Sequence, residues 1–267
     1  MKKCRSLDVV RDVARSLLIT GVVLIVGCTA GANSSVASES GDAAVTLVAG
    51  ATGGTRRALV QNLLAQGYEV RALVRDAAAA QQVLGGDVDY RVGDVRELET
   101  LRAAMTGVDF VISAIGASRT DPKNGPEAVD YGGVKNLVSA ASDAGVQQFV
   151  LVSSIGATQE DHYLNKRFNN ILMWKFKGEE VLRNSGLIYT VVRPGGLNND
   201  PGNEEQLIFA QGDNSSGRIA REDVALICIK ALQIPTARNK TFETFSSGQP
   251  GSNDWQALFG SLKPMLP

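Results

Sequence analysis

The chain has 267 residues, of which 44% are hydrophobic, and 27 Lys and Arg against 28 Asp and Glu give it a formal net charge of −1. This balance lacks the basic excess of nucleic-acid-binding proteins, so no nucleic acid partner is expected. The length suits one large domain or two small ones. Three cysteines and one histidine show no metal-ligand spacing, so no metal site is predicted.

Residues 1–28 have the pattern of a bacterial export signal. A basic segment precedes a charge-free run, Leu17–Gly27, that is short for a membrane span. Ile25-Val26-Gly27-Cys28 resembles the lipobox of bacterial lipoproteins, which implies that Cys28 is acylated and anchors an exported protein to a membrane. The alternatives are an N-terminal helix of a cytoplasmic protein and an uncleaved signal anchor. Residues 29–43, rich in Ser, Gly and Ala, are predicted to form a flexible tether.

An apolar strand at 45–49 leads into a glycine-rich turn that opens a helix. Glycine lets backbone N–H groups approach a pyrophosphate, and the positive end of the following helix favours its negative charge. A second strand at 68–74 completes the strand–turn–helix–strand context, so we predict a dinucleotide site; an ordinary glycine-rich turn is the alternative. The predicted cofactor-binding residues here are Gly50, Thr52, Gly53, Gly54, Thr55 and Arg56.

Strands and helices alternate along the chain, which predicts an α/β fold within residues 44–267. Parallel strands need long crossovers, usually helices, so we expect a doubly wound parallel sheet of the Rossmann type. Predicted strands cover 45–49, 68–74, 88–92, 108–115, 147–153 and 187–193, and predicted helices cover 55–66, 97–106, 126–144 and 168–185. After about residue 198 the pattern loosens. It resumes with a helix at 221–232, a strand at 240–246 and a helix near 253–262, which we expect to form a small C-terminal cap or substrate lobe.

Several sequence blocks in a fixed order carry a family resemblance. They are Gly50-Ala51-Thr52-Gly53, Ala72-Leu73-Val74-Arg75-Asp76, Gly93-Asp94-Val95, Gly133-Val134-Lys135-Asn136-Leu137, Phe149-Val150-Leu151-Val152-Ser153-Ser154, Trp174-Lys175-Phe176-Lys177-Gly178-Glu179-Glu180, Tyr189-Thr190-Val191-Val192-Arg193-Pro194-Gly195-Gly196 and Arg221-Glu222-Asp223-Val224-Ala225. With them, the chain from Val45 to about Leu262 resembles the atypical short-chain dehydrogenase/reductase family, in its NAD(P)-binding, NmrA-like branch of cyanobacteria and plastids. The resemblance implies a nicotinamide dinucleotide cofactor and a small-molecule substrate.

Two residues bear on the adenosine half of that cofactor. Arg75 ends the second predicted strand, where an acidic residue would bind an NAD ribose, and instead offers a cation to a 2′-phosphate. NADP(H) is therefore favoured, with NAD(H) as the alternative, unless Arg75 is a surface arginine paired with Asp76. By resemblance, Asp94 corresponds to the residue that accepts from the adenine amino group, although a plain turn aspartate has the same pattern.

The sequence departs from the family pattern at the glycine turn. Arg56 stands where the family has a third glycine, which serves close packing of helix on sheet. Two outcomes stay open: weaker cofactor binding, or an Arg56 guanidinium that pairs with a cofactor phosphate.

A second departure concerns the chemistry. Relatives have a tyrosine four residues before a lysine, so that the phenol protonates a reduced carbonyl while the lysine lowers its pKa and binds the nicotinamide ribose. Lys177 is the predicted lysine, and counting back from it gives Met173, which cannot transfer a proton. Tyr163 is one residue too close to Lys166 for the same spacing and is interpreted as a coincidence.

Lys177 and Ser154 are the predicted catalytic residues. By resemblance, Ser154 matches the serine that orients the substrate, and Lys177 is expected to bind the nicotinamide ribose. The alternatives are a strand-end hydroxyl for Ser154 and, for Lys177, a solvated helix lysine paired with Glu180.

Three functions follow from these residues. The first is an NADP(H)-dependent oxidoreductase whose flavin- or quinone-like acceptor takes its proton from solvent. The second is a non-catalytic NADP(H)-binding redox sensor or membrane-tethered scaffold, and the third, least favoured by Met173, is a carbonyl reductase. The sequence does not set the oligomeric state. An exported lipoprotein would face a compartment poor in NADP(H), so the prediction of a lipid anchor conflicts with the prediction of the cofactor.

Overall fold

The structure is a computed structural model that describes residues 43–50, 54–118 and 121–264. They belong to one compact unit. The predicted signal segment 1–28, with Cys28, and nearly all of the predicted tether 29–43 lie outside the described residues.

The strands form one large sheet and one small one. The strands of the large sheet are β1 (Val45–Ala49), β2 (Glu69–Val74), β3 (Asp89–Val92), β4 (Phe110–Ser113), β5 (Gln148–Val152), β6 (Tyr189–Pro194), β8 (Glu205–Ala210) and β10 (Lys240–Pro250), while β7 (Gly196–Asn198) pairs with β9 (Arg218–Ala220) in the small sheet. The eight strands lie in the order β3-β2-β1-β4-β5-β6-β10-β8. Neighbouring strands are parallel except for β10 and β8, which are antiparallel. The order of the first six strands confirms the predicted doubly wound, Rossmann-type fold.

The helices lie between the strands in sequence and cover the sheet. They are α1 (Gly54–Ala65), α2 (Ala77–Leu84), α3 (Leu98–Met105), α4 (Val134–Asp143), α5 (Tyr163–Arg167), α6 (Ile171–Arg183), α7 (Arg221–Gln233) and α8 (Trp255–Gly260), with a π-helical segment, Glu127–Gly133, directly before α4. No helix of the described residues combines the length and apolar character that crossing a lipid bilayer requires.

Each face of the sheet has its own hydrophobic core. On one face, buried side chains of α1 and α7 pack with Val48 of β1. On the other, side chains of α3, α4 and α6 pack with Leu47 and Ala49 of the same strand. Because successive strand residues point to opposite faces, a strand covered on both faces, such as β1, is apolar at nearly every position, and here only Thr46 is polar.

Some elements differ from the sequence prediction. Helix α2 was not predicted; its alanine-rich sequence favours a helix, and the Asp76 carboxylate caps it by accepting from the N–H of Ala79 at 3.0 Å. The helix predicted over 168–185 begins at Ile171, because Asn169 and Asn170 have positive φ angles. From residue 196 onward, β8 and β10 extend the main sheet, and β7 and β9 form the small one.

Candidate cofactor and active site

Two adjoining cavities lie at the carboxyl ends of the parallel strands. They meet at Ile115 and Gly116, which follow β4 and line both of them. The first, of about 210 Å³, extends over β2 and β3, and the second, of about 360 Å³, extends over β5 and β6. Since β1 and β4 are neighbours whose connections run to opposite sides, the cavities flank the switch point where doubly wound sheets bind ligands.

The glycine turn begins between these cavities. Gly50 has a φ of 83°, a conformation that side chains with a Cβ rarely adopt. Gly54 opens α1, and buried Thr55 lines the second cavity. Of the other predicted contacts, Thr52, Gly53 and the side chain of Arg56 lie outside the described part of the structure. The described residues of the turn thus bring a helix N-terminus to the cleft, where it favours an anion.

The first cavity brings Arg75 and Asp94 together. The Asp94 carboxylate accepts from Nε and Nη2 of Arg96 at 2.9 and 2.6 Å. These hydrogen bonds lower the pKa of Asp94, and the positive charge of Arg75 lowers it further. Within the described ranges no ion pair joins Arg75 to Asp76, whose carboxylate caps α2, so the exposed Arg75 guanidinium is available to a ligand.

The lysine that lines the second cavity is Lys175 rather than the predicted Lys177. It lines the cavity with Ser153 and Ser154, and its Nζ lies 2.7 Å from Oδ1 of Asp130 in the π-helical segment. The other oxygen of this buried carboxylate accepts from the N–H of Ala117 at 3.1 Å. Asp130 therefore links the lysine on α6 to the loop after β4.

Gly178 explains how α6 comes so close to Asp130. A Cβ at this position would lie 2.6 Å from the backbone oxygen of Asp130, nearer than van der Waals contact allows. Any side chain at Gly178 would push α6 away from the π-helical segment and lengthen the distance between Lys175 and Asp130.

The structure places Lys177 outside both cavities, which differs from the sequence prediction. Residues two apart on a helix point about 200° away from each other, so Lys175 and Lys177 occupy opposite sides of α6. The Lys177 side chain is exposed, with its Nζ 4.2 Å from the ring centre of Trp174. No ion pair joins it to Glu180 in the part of the chain described here.

The two serines after β5 differ in their contacts. The Oγ of Ser154, the predicted serine, donates to the backbone oxygen of Ile155 at 3.0 Å, and the Oγ of Ser153 donates to the buried carboxylate of Glu179 at 2.5 Å. Both line the second cavity, but the hydroxyl of Ser153 is engaged by Glu179. Among the described residues, Ser154 is thus the serine whose hydroxyl is bound only to a neutral backbone oxygen and can turn toward a ligand.

A phenol is absent from the expected position with either lysine. Met173 precedes Lys177 by four residues, and Ile171 precedes Lys175 by the same spacing. Tyr163 is 67% exposed on α5 and lines neither cavity. The described lining of the second cavity therefore supplies a lysine and two serines, but no tyrosine.

A buried ionic cluster contacts Ser153, which lines the second cavity. The guanidinium of Arg193 on β6, 2% exposed, binds the carboxylate of Glu179 through Nε at 3.0 Å and Nη2 at 2.7 Å. Burial lowers the pKa of Arg193, but the carboxylates of Glu179, Asp213 and Glu243 outweigh it and leave the pKa above its ordinary value. Sequence reasoning missed this cluster, although a charged residue inside the apolar run of β6 was its signal.

Asp213 connects this cluster to the loop that follows β5. Its carboxylate accepts from the N–H groups of Gly156 at 2.6 Å and Thr158 at 2.7 Å, and it lies 3.8 Å from Arg193. The loop that carries Ser154 is thereby tied to the interior of the sheet. Such a rigid support is what a group that orients a ligand requires.

The arrangement defines a dinucleotide-binding protein of the Rossmann class, with a cleft that continues past the glycine turn to a lysine and a serine. A family model described as NAD(P)H-binding matches residues 50–235. The chain belongs to this NAD(P)H-binding family, within the atypical short-chain dehydrogenase/reductases.

Relatives and solved structures agree with this assignment. Sanguinarine reductase of Eschscholzia californica is 34% identical, over 84% of this chain and 98% of its own length. A chloroplastic protein of Arabidopsis thaliana is 35% identical, over 80% of this chain and 74% of its own. A solved structure of the NAD-dependent epimerase/dehydratase type from Bacillus halodurans matches 82% of this chain and all of its own, with 26% identity and a TM-score of 0.72.

The cleft fits such a cofactor. Gly116, between the two cavities, has open space where a Cβ would point, and no side chain projects from Gly50 or Gly54 at the two ends of the turn. The first cavity offers the apolar walls Leu73 and Val129 to an adenine ring.

Proposed function

We propose that the protein is an NADP(H)-dependent oxidoreductase that passes hydride to a flavin- or quinone-like acceptor. One observation carries the proposal: the second cavity presents Lys175 and Ser154 but no tyrosine at the position of the family's proton donor. A quinone or flavin becomes reduced by taking a hydride and one proton, and that proton can come from water. A ketone, by contrast, relies on an acid in the site.

Arg75 supports the choice of NADP(H) within the NAD(P)H-binding family. Its guanidinium borders the first cavity, has no carboxylate partner among the described residues, and can form charge-assisted hydrogen bonds to a 2′-phosphate. Asp94 is the proposed acceptor for the adenine amino group; with its pKa lowered, it stays ionised at neutral pH.

The lysine role belongs in this proposal to Lys175 rather than Lys177. When NADPH is bound, its nicotinamide supplies the hydride. Lys175 would donate to the hydroxyls of the adjoining ribose, while Asp130 holds the ammonium at the second cavity. Ser154 orients the acceptor, and the exposed Leu197 on the rim of the second cavity gives it an apolar surface.

An acceptor panel tests the function. The purified protein should oxidise NADPH with soluble quinones or a free flavin and should show very slow turnover with small ketones and aldehydes. Tight NADPH binding without turnover of any acceptor would favour the second candidate, a non-catalytic redox sensor or membrane-tethered scaffold. That candidate is supported by the same missing tyrosine. Efficient ketone reduction would contradict both.

Membrane attachment is a separate proposal, based on the sequence of residues 1–28. We expect Cys28 to be lipidated, because only its thiol can take the anchor. Cys28→Ser should leave the precursor uncleaved or release the protein from the membrane fraction. Unchanged size and attachment in the variant would instead favour a signal anchor or a cytoplasmic helix.

A further inference from the structure

The N-termini of α1 and α7 lie side by side at the cleft. The two helices pack against each other, and Arg221, the first residue of α7, reaches across to Gly54, the first described residue of α1. A Cβ on Gly54 would lie 2.8 Å from Cδ of Arg221 and 3.2 Å from its Nε. The lack of a side chain at Gly54 therefore makes room for the arginine at the N-terminus of α1, where a pyrophosphate would bind.

The guanidinium of Arg221 is held by one nitrogen. Its Nη1 donates to the backbone oxygen of Asn198 at 3.0 Å and to Oδ1 of Asn199 at 2.9 Å. Among the described residues, its Nε and Nη2 have no hydrogen-bond partner. These two nitrogens form one edge of the guanidinium, and the nearer of them lies over Gly54.

The same guanidinium edge binds oxyanions elsewhere in this chain. Arg96 holds Asp94 through Nε and Nη2, and Arg193 holds Glu179 through the same pair. Two parallel N–H groups match two oxygens of a carboxylate or a phosphate. Arg221 thus presents at the glycine turn the edge that two other arginines use to bind anions.

The acidic residues next to Arg221 do not neutralise it. Glu222 accepts from the N–H of Gly202 at 3.0 Å, and Asp223 accepts from the N–H of Asn203 at 2.7 Å. In the described part of the chain, neither carboxylate forms an ion pair with Arg221. The positive charge at the turn is therefore available to a ligand.

We propose that Arg221 binds the pyrophosphate of the dinucleotide, with Nε and Nη2 donating to its oxygens. The proposal rests on the NAD(P)H binding of the family and not on the NADP preference or on the acceptor. Every dinucleotide of this class carries the pyrophosphate, so the contact is expected with NADPH and NADH alike. It would also fasten the segment after β6, through Asn198 and Asn199, to the bound cofactor.

Affinity measurements on full-length Arg221→Gln test the assignment. The variant should bind NADPH and NADH each about tenfold to a hundredfold more weakly than the parent, the effect expected for a charge-assisted bidentate contact. Binding of 2′-AMP, which has no pyrophosphate, should not change. Arg218→Gln is the matched control. It removes the same charge three residues earlier in the sequence, and Arg218 lines a different cavity. Its dinucleotide affinities should equal those of the parent.

Arginine labelling of the unmodified protein provides a second test that does not depend on a variant. A dicarbonyl reagent should modify Arg221 in the free protein, and ADP, which carries a pyrophosphate, should protect it, whereas 2′-AMP should not. Arg75 serves as the internal comparison, since 2′-AMP should protect it if NADP(H) is preferred. If 2′-AMP does not protect Arg75 but ADP protects Arg221, the NADP preference is overturned and the assignment of Arg221 stands.

Three results would overturn the assignment of Arg221. The first is equal dinucleotide affinity in Arg221→Gln and the parent. The second is an equal loss of 2′-AMP binding, which would indicate a general structural effect. The third is protection of Arg221 from the dicarbonyl reagent by the acceptor but not by ADP, which would make Arg221 a residue of the acceptor site.

Discussion

The ammonium of Lys175 lies 2.7 Å from the carboxylate of Asp130, across the contact between α6 and the π-helical segment. A π-helical turn widens the helix by one residue, and such turns are frequent at functional sites. Here the segment buries Asp130 and aims its second oxygen at the loop after β4. The pair fixes a cation in the cleft next to Ser154, which is the geometry that the proposed function needs.

Lys175→Ala should weaken NADPH binding and lower turnover about tenfold or more, because a charge-assisted hydrogen bond to the cofactor ribose is lost. Lys177→Ala removes the same charge two residues away and should leave both properties nearly unchanged. Titration of each variant with NADPH, followed by turnover with a quinone, measures the difference. A larger effect at Lys177 would return the role to the residue first predicted.

Ile171→Tyr should give the protein a measurable carbonyl reductase activity. The new phenol would stand four residues before Lys175, one turn away on the same side of α6, where general acid catalysis contributes about 10²–10⁴-fold. Met173→Tyr, placed four residues before the exposed Lys177, is the matched control and should gain nothing. Steady-state reduction of small aldehydes and ketones compares them. A gain in Met173→Tyr alone would mean that the wrong lysine has been assigned.

Arg75→Ala should reduce the preference for NADPH over NADH. The lost phosphate contact is worth about 1.5–3 kcal/mol, so NADPH affinity falls while NADH affinity stays the same. Calorimetric titration of parent and variant with both cofactors provides the four dissociation constants. Equal affinities for NADPH and NADH in the parent would contradict the proposed cofactor choice.

Glu179→Gln should lower the free energy of unfolding by about 3 kcal/mol, because the buried Arg193 loses its two closest carboxylate contacts and keeps, among the described residues, only Asp213 and Glu243, at 3.8 and 3.7 Å. Glu179 is fully buried, and it binds Arg193, Arg183 and the hydroxyl of Ser153. Glu180→Gln, at the exposed neighbouring position, should change the same quantity by less than about 0.5 kcal/mol. Urea unfolding followed by circular dichroism compares them, and similar midpoints would show that the cluster does not stabilise the fold.

Much of the fold could be predicted from local sequence patterns. Strand β1 and the glycine turn after it are contiguous in sequence, and the apolar runs of the parallel strands mark a sheet covered on both faces. Strand β8 was missed because it is an edge strand, and the residues of β10 with which it pairs lie 33 to 45 positions further on, from Ala210–Glu243 to Glu205–Pro250. Pairing across such a separation leaves no periodic signal in either segment alone.

The site could be predicted only where a residue's role depends on its own strand end. Arg75 directly follows β2, and Asp94 lies two residues after β3, so strand order alone brings them to one cavity. Lys175 and Lys177 both belong to one sequence block, and choosing between them requires the rotation of α6 about its axis. That rotation is set by contacts with Asp130, in a segment more than forty residues earlier, which a motif cannot encode.

Anaerobic mixing of the purified protein with NADPH and a soluble quinone tests the central claim most directly. The loss of the reduced nicotinamide absorbance should accompany formation of one hydroquinone per NADPH consumed. The rate should be about the same in Ile171→Tyr as in the parent, since a hydride acceptor of this kind needs no acid from the protein. In Lys175→Ala it should fall about tenfold or more, because the hydrogen bond to the cofactor ribose is lost. A protein that binds NADPH tightly but consumes none of it with quinone or flavin would contradict the proposed oxidoreductase function.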